Sequence, residues 1–316
     1  MAKILIIDDV HPALQNALLE KGHEISYLPT IKANEVADLL IDIEVLVLRS
    51  KLKITREIIE KNAPVLRIIA RAGAGVDEID ADFLAKRNIQ LLNAPEGNRQ
   101  AVAEHVLGML LSLLNNLTIA NEEVKSKIWK REENRGIELA GKTVGIIGFG
   151  NNGKAFGNLL AAFGCTILYY DIKNDNFESK HISSTTIEEI QNQADIISFH
   201  TPLTSITKNY FSKTFIEGFK KPFWLLNASR GEIASFENII WGIQKNKILG
   251  AALDVLENEK FSNYTEVQIK QFEYLSSLPN VIFSPHVAGW TVESYQKISE
   301  VLATKIIQQL NNLPNK

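Results

Sequence analysis

Cysteine occurs once in the 316 residues, at Cys165, so an internal disulfide is excluded, and a reducing compartment, the cytoplasm, is the expected location. No group of Cys and His has the spacing of zinc ligands, and no metal centre is expected. An excess of charge of one sign is missing too, the formal net charge being −3. A general nucleic-acid or acidic-membrane binder needs a basic face to displace counterions, so neither is expected as a partner. The longest apolar stretch, about Leu107 to Leu117, is broken by Ser112, Asn115 and Asn116 and is too short to span a bilayer. The first residues, Lys3 to Asp9, read as a short buried strand rather than a signal peptide. Low-complexity segments and short-period repeats are lacking, which excludes a solenoid.

What is present is ordinary globular composition, 45% hydrophobic and 22% charged, on a chain longer than one hydrophobic core usually serves. Two domains are therefore expected. Short β-rich runs (Ile4 to Ile7, Glu24 to Leu28, Val45 to Leu48, Ile68 to Ala70, Ile89 to Leu92) alternate with amphipathic segments, the pattern of a parallel α/β sheet. A helical pattern follows from Gln100 to about Leu117, with Val102, Val106, Leu110 and Leu113 on one face. A second alternating series begins at Thr143 and takes in Ile167 to Tyr170, Asp195 to Phe199, Phe223 to Leu226, Leu249 to Leu253 and Val281 to Phe283. A last amphipathic stretch runs from Val292 to about Leu310. The fold class expected is α/β with two doubly wound parallel sheets.

Gly148-Phe149-Gly150-Asn151-Asn152-Gly153 fits G-x-G-x-x-G, a weak pattern alone. Here it follows a predicted strand and opens a helical segment, and Asp171 ends the next strand eighteen residues beyond Gly153. In that setting Gly148 permits a tight turn, Gly150 lets backbone approach a pyrophosphate, and Gly153 lets the helix pack closely with its amides toward the anion. Asp171 would bind the adenosine ribose hydroxyls and repel a 2′-phosphate, which favours NAD over NADP, although Lys173 lies close by.

Three more polar segments stand where strands end, which is where such sheets bind ligands. Asn227-Ala228-Ser229-Arg230-Gly231 presents an arginine, whose planar fork suits a carboxylate. Asp254 to Glu259 offers acids, with Glu257 and Glu259 competing on position, and Ser284-Pro285-His286 offers a base. His11, His23 and His181 read as surface residues and His105 as structural.

With these segments on the page, the chain resembles the D-isomer-specific 2-hydroxy-acid dehydrogenase family over nearly its whole length, from Arg71-Ala72-Gly73-Ala74-Gly75-Val76-Asp77 to Pro285-His286. The resemblance implies a Rossmann NAD-binding domain, 98–286, inserted into a flavodoxin-like substrate domain made of 1–97 and 287–316. It implies catalysis by Arg230, Glu259 and His286 on a small anionic 2-hydroxy or 2-oxo acid, with NAD as cofactor. His200, Thr201, Pro202 and Thr207 match the loop beside the adenosine and pyrophosphate. Ala228, Ser229, Asp254, Ala288 and Gly289 fall at other cofactor-contacting positions. Asn151 and Asn152 depart from the Arg-Ile commonly found between the second and third glycines, so cofactor affinity can differ.

Ala74, Gly75, Arg49 and Arg71 match substrate-loop positions, and the two arginines suggest a phosphorylated substrate, because a phosphate dianion needs paired donors. The alternatives left open are an unphosphorylated hydroxy acid and, outside enzymes, an NAD-sensing co-repressor. Ile128-Trp129-Lys130-Arg131 resembles a stretch that lends a basic residue to a partner subunit, which implies a homodimer with Arg131 as a further substrate-site residue. The ACT regulatory domain appended in some members is expected to be absent.

Overall fold

The structure, a computed structural model, describes residues 1–77, 79–173 and 177–312. The chain divides into two compact units, one formed by Met1–Arg99 with Trp290–Lys316, the other by Gln100–Gly289.

The first unit holds strands β1 (Lys3–Ile6), β2 (Glu24–Tyr27), β3 (Val45–Leu48), β4 (Ile68–Arg71) and β5 (Gln90–Asn93), in the order β2-β1-β3-β4-β5. All neighbours are parallel. Alternate residues of a strand face opposite sides of its sheet, so both faces must be apolar when both are covered. Ile4, Ile6, Val45, Val47 and Ile68 pack on one side with Leu14, Leu18, Leu302 and Ile306 from helices Pro12–Glu20 and Val292–Asn312. Leu5, Leu46, Leu48 and Ile69 pack on the other with Val36, Leu40, Ile59 and Leu84. The terminal helix starts on a reciprocal cap, in which the Thr291 amide donates to Ser294 Oγ at 2.9 Å and the Ser294 amide to Thr291 Oγ1 at 3.0 Å.

The second unit holds β6 (Thr143–Ile147), β7 (Thr166–Tyr170), β8 (Ile182–Ser184), β9 (Ile196–Phe199), β10 (Phe223–Asn227), β11 (Ile248–Leu253) and β12 (Val281–Phe283). Their order is β12-β11-β10-β9-β6-β7-β8, again all parallel. In each sheet the chain reverses its direction of strand addition once, between β1 and β3 and between β6 and β9, and a crevice opens at the carboxyl ends of those strands.

The expected fold class is the observed one, two doubly wound parallel sheets. Details differ. The helix expected from Gln100 runs Pro95–Leu114, then Asn116 turns the chain at φ 54° into a separate helix, Leu117–Lys125. Strand β8 gave no usable pattern, being a three-residue edge with only Ile182 buried. Two histidines read as surface have structural work. His11 Nδ1 accepts from the Ala13 amide at 3.2 Å and caps a helix, and half-buried His23 accepts from the Ala2 amide at 3.3 Å. His181 is exposed. No single helix among the described residues is long and apolar enough to cross a membrane.

Gly97 shows how tightly the first unit is closed. A Cβ there would lie 2.6 Å from the Ile298 Cα, on the terminal helix. Gly97→Ala should force that helix away at a cost of about 1–3 kcal/mol, seen as a lower midpoint in thermal unfolding followed by circular dichroism. An unchanged midpoint would show that the contact yields without cost.

Candidate active site

The second sheet delivers its polar groups at the carboxyl ends of adjacent strands. At the switch point, Gly148 takes φ 90° directly after β6, and a Cβ there would sit 2.8 Å from the His200 carbonyl oxygen after β9. A Cβ on Gly153 would lie 2.2 Å from the Gly148 carbonyl oxygen, so helix Asn151–Ala162 can approach the turn only because that residue is glycine. Gly150 is the helix N-cap and gives no side-chain cap, leaving the first amides to an external acceptor. Two buried side-chain oxygens nearby, Asn152 Oδ1 and Thr201 Oγ1, lack a hydrogen-bond partner. Buried polar atoms are normally satisfied, and here a bound polyanion with hydroxyl groups would satisfy them. Asp171 closes the turn, accepting from the Phe149 amide at 2.6 Å and the Lys173 amide at 2.8 Å. Burial pushes the pKa of His200 down to about 4, so its imidazole is neutral, bonded to Ser198 Oγ at 2.8 Å. Thr207 Oγ1 donates to the Pro202 carbonyl at 2.6 Å and fixes the following loop.

At the other end of the sheet, β10, β11 and β12 lie side by side, and Arg230, Glu259 and His286 come from the segments that leave them. The Asn227 side chain shapes the first turn, accepting from the Ser229 amide and hydroxyl at 3.1 and 2.9 Å and donating to the Arg230 carbonyl at 3.0 Å. Arg230 Nη1 donates to the Ser229 carbonyl at 2.6 Å. A Cβ on Gly231 would collide with the Leu256 carbonyl oxygen at 1.8 Å, so glycine is what lets the loops after β10 and β11 touch. Glu259 Oε1 lies 2.9 Å from His286 Nδ1 and Oε2 lies 3.0 Å from it. Glu257, the rival acid, instead accepts from the Phe236 amide at 3.0 Å and from Gln268 Nε2 at 3.2 Å. A cavity of about 360 Å³ opens beside the pair, lined by Asp254, Glu259, Ser284 and His286 with Phe261, Phe272 and Phe283 among its apolar wall.

His286 occupies left-handed backbone space at φ 55°, uncommon for a residue with a side chain. Asp254 holds it there. The His286 amide donates to the Asp254 carbonyl at 2.8 Å, while the carboxylate accepts from the Val287 and Ala288 amides, each at 2.9 Å, and from Ser284 Oγ at 2.5 Å. Ser284 Oγ is in turn 2.9 Å from His105 Nε2. Burial works against the Asp254 charge, yet bonds from His105, Ser284 and the two amides hold its pKa down at about 2. Asp254, expected at a cofactor-contacting position, lines the cavity, and its carboxylate also accepts from the loop that carries His286. His105 is structural as expected, but its bond to Ser284 crosses 179 residues and left no sequence signal.

The matched family model, D-isomer specific 2-hydroxyacid dehydrogenase, NAD binding domain, covers residues 107–288. The chain belongs to this family. Its second unit is an NAD-binding domain, and the glycine turn, Asp171 and the unpartnered Asn152 and Thr201 oxygens fit that cofactor. A D-3-phosphoglycerate dehydrogenase of Bacillus subtilis is 33% identical over 99% of this chain, which spans 58% of that relative's length. A hydroxypyruvate reductase of Thermotoga maritima is 32% identical over 89% of both chains. A D-lactate dehydrogenase of Aquifex aeolicus, solved with NAD and lactic acid, superposes with a TM-score of 0.83 at 27% identity, over 98% of this chain and 95% of that one.

The remaining family positions are placed as follows. Arg49 and Arg71 sit at the ends of β3 and β4 in the first unit, and a Cβ on Gly73 would strike Arg71 Nη1 at 1.6 Å, so the guanidinium lies over that glycine. The Ala74 carbonyl accepts from Asn93 Nδ2 at 2.6 Å, and Gly75 is half-buried. Ala228 is half-buried after β10, Ala288 is buried, and Gly289 closes the second unit. Arg131 stands exposed, its Nη1 3.7 Å from Glu132 Oε1.

The bond from Glu259 raises the His286 pKa above its ordinary value, aided by the charges of Glu259 and Asp254 and opposed by burial and by Arg230. Because the folded value is raised, the pair's stabilisation is complete below the unfolded histidine pKa and fades as pH rises through the folded one. In Glu259→Gln the His286 imidazole should titrate at lower pH than in the wild type, as read by NMR of labelled histidine. An unshifted titration would show that Glu259 does not govern the proton affinity of this imidazole.

Proposed function

We propose that this protein catalyses NAD-dependent hydride transfer at the 2-position of a D-2-hydroxy acid, with interconversion of D-3-phosphoglycerate and 3-phosphohydroxypyruvate as its reaction. The observation that carries the proposal is the His286–Glu259 pair at 2.9 Å with Arg230 near enough to depress the imidazole pKa, all on the NAD-binding unit. Held by the turn at Gly148 and by Asp171, the cofactor would supply the hydride acceptor or donor for C2. Glu259 takes the Nδ1 proton as a hydrogen bond, which fixes the tautomer and leaves Nε2 as the basic nitrogen. In oxidation Nε2 removes the hydroxyl proton as the carbonyl forms, and Glu259 stabilises the resulting imidazolium. In reduction the protonated ring returns that proton to the developing alkoxide, while Arg230 holds the carboxylate and polarises the carbonyl. Asp171 favours NAD over its 2′-phosphorylated form by charge repulsion.

Arg49 and Arg71 are the groups for a phosphate, and the D-3-phosphoglycerate dehydrogenase relative supports that substrate. A second reading, reduction of unphosphorylated hydroxypyruvate, is favoured by the hydroxypyruvate reductase relative, 32% identical to this chain. A homodimer fits the apolar surface left exposed on the second unit at Leu117, Val124, Ile128 and Trp129, beside Arg131.

His286→Asn should fold and bind NADH as the wild type does but lose about 10²–10⁴-fold in turnover, measured by cofactor absorbance and by NADH fluorescence titration. Near-normal turnover would refute the assignment of the base. Among 3-phosphohydroxypyruvate, hydroxypyruvate and pyruvate, the phosphorylated acid should give the highest kcat/KM, and a preference for hydroxypyruvate would select the second reading.

A further inference from the structure

We propose that Trp290 is a positioning residue that holds the Arg49 guanidinium as an anion receptor at the switch point of the first sheet. The inference rests on the reading of Arg49 as a substrate-binding group and adds a residue that the family motifs do not mark. Arg49 directly follows β3, and Asp8 and Asp9 follow β1, so all three stand where the crevice opens between these neighbouring strands.

Two carboxylates therefore lie close to Arg49, and an ordinary ion pair would cancel its charge. Both are taken by other donors. Asp8 Oδ2 accepts from the Arg49 amide at 2.6 Å and the Lys51 amide at 3.3 Å, which fixes the backbone of Arg49. Asp9 accepts from Tyr27 Oη at 3.2 Å and from Tyr295 Oη at 2.7 Å. Burial and the bond to Asp9 raise the Tyr295 pKa, so that residue remains a protonated donor.

The guanidinium instead lies over the indole of Trp290, 4.1 Å from the ring centroid. Its hydrogen bond within the protein is a long one, Nη1 to the Asp9 carbonyl at 3.4 Å. A guanidinium carries five N–H donors in one plane. A ring against one face of that plane fixes its tilt and leaves its edges for an oxyanion, at no cost in desolvated counter-charge. The indole is itself braced, edge-on to Tyr295 at 5.5 Å, and Tyr295 is edge-on to His11 at 5.5 Å. Trp290 nevertheless remains 49% exposed, so the stack faces solvent and a ligand can reach it. The anion that suits the receptor is a phosphate monoester or a carboxylate, and the dianion gains more from a pre-oriented fork.

The test uses the NADH-loaded protein and calorimetric titration with D-3-phosphoglycerate and with D-glycerate, in the wild type, Trp290→Phe, Trp290→Ala, Arg49→Gln and the double variant Trp290→Ala/Arg49→Gln. Trp290→Ala should weaken D-3-phosphoglycerate binding about tenfold, the order that such a contact contributes, and Trp290→Phe should restore most of it. In turnover the same change should fall on KM rather than kcat. In the Arg49→Gln background, removing the indole should cost nothing further. No loss in Trp290→Ala, or a loss that persists undiminished without Arg49, overturns the proposal. If Arg49→Gln weakens both ligands equally while the coupling to Trp290 stands, the phosphate reading fails and the positioning role survives.

Discussion

The buried carboxylate of Asp254 is the constraint on which the site depends. It gathers the amides of Val287 and Ala288 and the Ser284 hydroxyl, and its own carbonyl receives the His286 amide. Without these bonds a histidine would not remain at φ 55°, because left-handed backbone is disfavoured for a residue with a Cβ. The strain is retained because the surrounding loop over-determines it. Its result is an imidazole held by Nδ1 against Glu259. Asp254 thus acts through backbone, and the charge kept by its low pKa makes its hydrogen bonds strong.

Glycine performs the complementary task of letting segments touch. At Gly231 a methyl group would overlap the Leu256 carbonyl, and at Gly153 it would overlap the turn at Gly148. The first contact brings the arginine-bearing loop against the loop that leads to Glu259; the second brings a helix N-terminus to the place where a pyrophosphate is expected. Both contacts join neighbours at the carboxyl ends of a parallel sheet. Such a sheet must send all its strands the same way, so its loops collect at one edge and residues distant in sequence become neighbours.

The two units use charge in contrasting ways. In the second, His286 and Glu259 form a direct pair with Arg230 close by, so the proton affinity of the imidazole is a balance of opposite neighbours. In the first, Arg49 is kept from the carboxylates beside it by tyrosine hydroxyls and backbone amides. A paired histidine suits proton transfer, whereas an arginine stacked on indole keeps its charge for a ligand.

Much was legible in the residues themselves. Runs such as Val45 to Leu48 are apolar on every position because both sheet faces are covered, and the glycine spacing with Asp171 announced the nucleotide turn. The strand-end positions of Arg230, Glu259 and His286 followed from the same alternation, and family spacing chose Glu259 over Glu257. Strand β8 was not legible, since three residues at a sheet edge bury too little to leave a pattern. The clamp by Asp254, the bond from His105 to Ser284 and the stack of Trp290 on Arg49 were not legible either, because each joins residues far apart in the chain. Periodicity and local motifs are written in neighbouring residues, so the sequence alone determined the sheets and which strand ends carry Arg230, Glu259 and His286. Which carboxylate meets which donor depends on chain folding that closes long loops, and that only the tertiary structure decided.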